Sequence, residues 1–113
     1  MATGVLHKER VPRYELLWTC GSDYANGFAA GNSVTMDYDS KNYTFLAITF
    51  SLGTSTTASV ALFPCGVQKG NRYIPINVGG TAGYARIYID GTSFSLNNCS
   101  VTGAVVNRIH GVS

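Results

Sequence analysis

Two carboxylates, Asp37 and Asp39, are the residues whose type and spacing come nearest to catalytic chemistry. Two positions apart on a strand, they would share one face, as the paired carboxylates of a glycoside hydrolase must share one cleft. Asp39, however, opens the polar stretch Asp39-Ser40-Lys41-Asn42, where an aspartate usually caps a turn. No third group orients either carboxylate. The pattern therefore favours capping, and we expect that the protein is not an enzyme.

The other candidates for catalysis or cofactor binding are weaker. His7 precedes the patterned part of the chain, and His110 has no Ser or Cys nucleophile fixed near it by sequence. The stretch Gly79-Gly80-Thr81-Ala82-Gly83 lacks the Lys-Ser/Thr of a phosphate loop, so it reads as a turn. Since metal ligands do not cluster either, we expect neither a cofactor nor a metal.

The cysteines Cys20, Cys65 and Cys99 are an odd number and lie far apart. Residues 1–20 lack the basic and apolar regions of a secretory signal, so these cysteines are expected to be free thiols. No apolar run approaches the ~20 residues of a membrane span, and no membrane insertion is expected.

Tyrosines beside polar residues are the best candidates for binding. There are seven tyrosines in 113 residues. A tyrosine offers a flat apolar ring and a hydroxyl, which suits stacking on a sugar. Loops on a rigid scaffold commonly carry recognition residues. The predicted ligand-binding residues are Asp23, Tyr24, Asn26, Arg72 and Tyr73. The alternative is that these tyrosines cover a sheet edge or pack between subunits.

The composition excludes several classes of protein. Charged residues are 12% of the chain and the formal net charge is +2. The basic residues are scattered, so no nucleic-acid surface is expected. A surface built from Ser, Thr, Asn, Gly and Tyr is typical of β-rich structural, viral and sugar-binding proteins, and sister subunits could cover part of it.

The elements that must position these residues are short strands. From Tyr14 onward apolar residues alternate with polar ones, and turn clusters recur at spacings of roughly 8–12 residues. The fold class predicted is all-β, a single antiparallel β-sandwich of jelly-roll type with about eight short strands. Residues 1–13 are predicted to be a linker or shaft remnant, and residues 14–113 the sandwich. After the strand that opens at Tyr14, the predicted strands are 33–39, 43–50, 58–65, 72–78, 83–89, 92–96 and 104–109.

Alternation also predicts which side chains face the core. The predicted sets are Val34, Met36 and Tyr38; Val60, Leu62 and Pro64; and Ala85, Ile87 and Ile89. Pro64 and Pro75 cannot donate to a ladder, so their strands are predicted at sheet edges. Asp90-Gly91 predicts a hairpin with a type I′ turn.

The two ends of the patterned region carry a family resemblance. The opening motifs are Leu17-Trp18-Thr19, Phe28-Ala29-Ala30 and Val34-Thr35-Met36-Asp37, then Tyr43 and the apolar strand 45–50. The closing motif is Ile109-His110-Gly111-Val112, and the lead-in carries Thr3-Gly4-Val5-Leu6 and Glu9-Arg10. Together they resemble the C-terminal tip domain of tail-fibre and baseplate receptor-binding proteins from phages and prophages of Gram-positive hosts.

The resemblance implies a homotrimer at the end of a fibre or baseplate that binds a bacterial surface polymer, a saccharide. It also implies a protein made in the bacterial cytoplasm and carried on the tail of the virion. Two alternatives remain: a purely structural virion or tail-assembly protein, and a stand-alone lectin-like carbohydrate-binding module.

Overall fold

The computed structural model describes residues 13–53, 55, 57–65 and 70–113. Eight strands in these residues form two antiparallel four-stranded sheets. In spatial order, sheet A contains β1 (Tyr14–Thr19), β8 (Ala104–Val112), β3 (Phe45–Leu52) and β4 (Ala58–Pro64). Sheet B contains β2 (Asn32–Thr35), β7 (Ser93–Cys99), β6 (Thr81–Asp90) and β5 (Gly70–Val78). Two 3₁₀ turns, Tyr24–Asn26 and Ser40–Asn42, precede β2 and β3 respectively.

The predicted all-β sandwich is confirmed. It is jelly-roll-like in that β1 pairs with β8 and β2 with β7, while the middle strands form the hairpins β3–β4, β5–β6 and β6–β7. Apolar side chains from the inner faces of both sheets form one core. Its fully buried large side chains include Leu17, Ile48, Phe50, Ile87, Phe94 and Ile109. The predicted linker, apart from Arg13, lies outside the described residues.

The alternation of β6 is as predicted, since Ala85, Ile87 and Ile89 are all buried. The prediction for β4 is wrong. Val60 and Leu62 are 58% and 54% exposed, whereas the alternate residues of the strand face the core. Because β4 is apolar on both faces, only its pairing with β3 decides which set is buried.

The expected alternation of 33–39 holds only in part. Met36 is buried and Val34 half-buried, but Tyr38 is 54% exposed. The strand ends at Thr35, and beyond a strand the alternation no longer dictates where a side chain points.

Both proline predictions are confirmed. Pro64 is the last residue of β4 and Pro75 lies in β5, and these strands are the outermost members of their sheets. A proline lacks a backbone N–H, so an edge position costs no ladder hydrogen bond when that N–H side has no neighbour.

The predicted hairpin at Asp90-Gly91 is present, but its turn type is different. Asp90 pairs with Ser93, and within the turn only Gly91 has a positive φ, +63°. One positive φ at the first central residue is the pattern of a type II′ turn. Both central residues have positive φ in the β5–β6 hairpin, at Gly79 (+60°) and Gly80 (+82°), as a type I′ turn requires.

Candidate functional site

The predicted residues Asp23, Tyr24 and Asn26 lie together in the connection from β1 to β2. The Asp23 carboxylate caps the 3₁₀ turn by accepting a hydrogen bond from the amide of Ala25 (3.0 Å). Asn26 is exposed, and its backbone N–H donates to the Asp23 carbonyl. Asp23 therefore shapes the backbone of this loop, and Tyr24 is the large aromatic side chain that the loop carries.

Tyr24 is fixed by a residue far along the chain. Arg108 of β8 donates a hydrogen bond to the Tyr24 hydroxyl, and its guanidinium carbon lies 4.9 Å from the centre of the tyrosine ring. The buried Asn107 side chain also donates to the Tyr24 carbonyl (3.2 Å). Arg108 thus already occupies both the hydroxyl of the half-buried Tyr24 and the ring position where a cation can bind.

Arg72 and Tyr73 are strand residues and not loop residues, because β5 already begins at Gly70. Adjacent residues of a strand point to opposite sides of the sheet. Tyr73 is 64% exposed on the outer face of sheet B, whereas Arg72 is half-buried on the side of the core. The structure therefore does not bring the five predicted residues into one site.

The ring of Tyr73 instead contacts the ring of Tyr84, a residue that the sequence analysis does not select. Their ring centres are 5.3 Å apart and their planes meet at 70°, an edge-to-face contact. Tyr84 is 40% exposed. The sequence does predict that Tyr84 is exposed, because a strand that buries Ala85, Ile87 and Ile89 must point Tyr84 to the opposite face.

Polar side chains surround the two tyrosines. Arg86 pairs with Tyr73 across the strands, and Tyr88 pairs with Asn71. A bulge opposite Arg86 and Ile87 leaves Asn97 unpaired in the ladder, and its side chain donates to Asn71 Oδ1 (2.7 Å). We call this surface the tyrosine platform: Asn71, Tyr73, Tyr84, Arg86, Tyr88 and Asn97. It combines exposed aromatic rings with carboxamide and guanidinium groups on a rigid sheet.

The outer face of sheet A has a different character. Two rows of paired residues cross all four strands: Tyr14, Val112, Phe45 and Pro64, and beside them Leu16, His110, Ala47 and Leu62. Among these, Tyr14, Leu16 and Leu62 are 61%, 44% and 54% exposed. We call these eight residues the apolar face.

His110 lies within this face. Its ring stacks on Tyr14, with centres 4.1 Å apart and planes within 10°. Burial, and then the charge of Arg108, lower the pKa of His110 below its usual value. The imidazole is therefore neutral at neutral pH, as an apolar environment favours.

Of the two candidate catalytic carboxylates, Asp39 caps a turn as predicted. Asp39 Oδ1 accepts a hydrogen bond from the amide of Lys41 (2.9 Å) at the start of the second 3₁₀ turn, and Asp37 is exposed. Among the described residues, no group of three or more His, Cys, Asp and Glu side chains could hold a metal ion.

The three cysteines are all partly buried and are not linked to one another. Cys65 and Cys99 pack against the core. Burial raises the pKa of the Cys65 thiol to about 11.

No protein-family model matches this chain, and no curated protein is significantly similar to it.

In the described part of the chain, none of the helical segments has the length and apolar character needed to span a bilayer.

Proposed function

We propose that this chain is a phage or prophage tail-fibre tip that binds a saccharide of the bacterial cell surface through the tyrosine platform. The observation that carries the proposal is the exposed pair Tyr73 and Tyr84 on the outer face of sheet B, with hydrogen-bonding side chains beside them. The motif resemblance to tail-fibre tips supports the viral context.

The chemistry of the platform suits a sugar chain. The apolar side of a sugar ring stacks on an aromatic ring, while its hydroxyls need donors and acceptors close by. Asn71 and Asn97 offer both donors and acceptors, and Arg86 offers donors. Arg86 is the one formal charge of the platform, so a neutral or weakly acidic polymer is the favoured ligand.

A homotrimer is the second part of the proposal, with sister subunits covering the apolar face. Leu16, Leu62 and Tyr14 expose apolar surface that water solvates poorly. The face itself carries no permanently charged side chain, and His110 is neutral there, so identical copies can meet without repulsion between like charges.

Binding is tested with cell walls and wall polysaccharides from a panel of Gram-positive species. We expect wild-type protein to sediment with at least one preparation. We expect the double variant Y73A/Y84A to lose about thirtyfold in affinity, because each of the two aromatic contacts contributes of order 1 kcal/mol. N77A, at the far end of the same face of β5, is the control and should bind normally. Equal binding by Y73A/Y84A and wild type would overturn the platform, and failure to bind any preparation would favour the structural virion protein.

The trimer is tested by light scattering over a dilution series. We expect three times the chain mass of 12.0 kDa. Leu62→Glu should give a folded monomer, because it places a charge in the apolar face. A folded wild-type monomer would overturn the trimer and favour a stand-alone binding module.

A further inference from the structure

A concave surface lies at one end of the sandwich. It is found where β1 begins, where β8 has ended and where the chain enters β3. Its volume is about 530 Å³, within the range of roughly 300–1,000 Å³ that small-molecule sites occupy. We call it the end cleft, and it is lined by Arg13, Glu15, Tyr38, Asn42, Tyr43 and Ser113.

A carboxylate held by two partners lies in the end cleft. Glu15 Oε1 accepts a hydrogen bond from the Tyr43 hydroxyl (3.0 Å) and lies 3.8 Å from Arg13 Nη1. Burial, and then the hydrogen bond to Glu15, raise the pKa of Tyr43 to about 12, so its hydroxyl keeps its proton and donates to Glu15 at neutral pH. Both contacts use the same carboxylate oxygen, which leaves Oε2 available as an acceptor for a ligand.

The rim of the cleft is a firmly held turn. Asp39 caps the turn through the amide of Lys41, and the Ser40 amide donates to the Gly91 carbonyl of the β6–β7 hairpin (3.1 Å). On this turn Asn42 is exposed, and the preceding Tyr38 is 54% exposed. A carboxamide and an aromatic ring are thus presented to the cleft from a segment tied to both sheets.

We infer that the end cleft binds one neutral sugar ring, with Tyr38 stacking on the ring and Glu15 and Asn42 hydrogen-bonding its hydroxyls. Among the side chains that line the cleft, Arg13 and Glu15 are the charged ones and have opposite signs, so these side chains give no net attraction for a charged ligand. The Glu15 carboxylate would repel an anion, and the Arg13 guanidinium would repel a cation. The inference rests on the proposed function in taking a saccharide as ligand, and adds a second subsite for it.

The test is a nuclear magnetic resonance titration of the ¹⁵N-labelled chain with glucose, galactose, N-acetylglucosamine and rhamnose. Glycerol 3-phosphate and ethanolamine are the anionic and cationic probes. We expect at least one neutral sugar to shift the amides of Glu15, Asn42 and Tyr43 in a saturable manner. E15Q and Y38A should each weaken that binding by about tenfold, the loss expected for a hydrogen bond to a charged group or an aromatic contact. K41A, on the same turn but outside the lining, should bind like wild type.

The same spectra show whether each variant is folded. The inference is overturned if no neutral sugar shifts the cleft amides, if a charged probe binds there in preference, or if E15Q and Y38A bind as K41A does. Loss of wall binding by Y73A/Y84A without any cleft shift would leave the proposed function standing and remove the second subsite. Cleft shifts combined with normal wall binding by Y73A/Y84A would keep the cleft and remove the platform.

Discussion

The ring of Tyr43 lies directly over Gly111 near the end of β8. A Cβ atom added to Gly111 would be 2.6 Å from three carbons of that ring, closer than real side chains approach. Gly111 pairs with Glu15 on one side and with Leu46 on the other. The missing side chain therefore creates the space in which Tyr43 crosses the sheet and reaches the Glu15 carboxylate.

Replacing Gly111 with alanine should destabilise the protein, because the methyl group forces the Tyr43 ring out of its place. Overpacking of this kind costs about 1–3 kcal/mol. The free energy of unfolding, measured by urea denaturation, should fall by that amount.

The matched test combines G111A with Y43A. With the ring removed, the added methyl group has nothing to meet, so G111A should cost little in the Y43A background. If G111A is equally harmful with and without the ring, its cost comes from the strand backbone and not from Tyr43.

The burial of Tyr43, together with its hydrogen bond to Glu15, should make stability depend on alkaline pH. Because the pKa of Tyr43 is raised from 10.0 to about 12 in the folded protein, its contribution is complete below pH 10 and is lost as the pH rises to 12. Y43F should cost about 1 kcal/mol at neutral pH, and its stability relative to wild type should improve across that alkaline range. Urea denaturation of both proteins at matched pH values is the measurement. If the free energies of unfolding of the two proteins change with pH in parallel, the pKa of Tyr43 is the same in the folded and unfolded states.

The contact of Arg108 with Tyr24 should hold the connection between β1 and β2 against β8. R108A removes a cation–π contact and a hydrogen bond, and should lower stability by about 1–2 kcal/mol. Hydrogen exchange at the Asn26 and Gly27 amides should speed up more than exchange in the core strands. Y24F keeps the ring and removes only the hydroxyl, so its effect should be smaller. If R108A leaves these two amides protected, the loop is held by the backbone bridge between Phe28 and Val106.

Local patterns were sufficient to predict much of the fold, because each strand needs only an apolar face and a turn at each end. Ala85, Ile87 and Ile89 were assigned correctly because the alternate positions of β6 are polar or aromatic. Val60 and Leu62 were assigned wrongly because the alternate residues of β4 are apolar too. In that case only the pairing with β3 selects the buried face, and pairing is a long-range property.

The candidate site was harder to predict because its parts come from distant segments. Tyr73 is predicted from its place beside a polar loop, but Tyr84, whose ring contacts it, lies across a hairpin. Tyr24 was identified as a loop tyrosine, yet Arg108, which contacts it, is 84 positions away. The link from Tyr43 to Glu15 spans 28 positions and depends on Gly111 of β8. The alternation of apolar and polar residues within a strand cannot predict contacts between segments so far apart in the sequence.

The burial of Cys65 should make it slow to alkylate. The thiolate is the reactive form, and a pKa raised from 9.0 to about 11 reduces the thiolate at neutral pH by about a hundredfold. The experiment uses C20S/C99S, in which Cys65 is the remaining thiol, and follows its reaction with iodoacetamide by mass spectrometry at pH 8. The native protein should react far more slowly than the same protein in concentrated urea, where the thiol regains its ordinary pKa. Equal rates in the two states would mean that Cys65 is open to solvent, and that β4 does not end against the core as described.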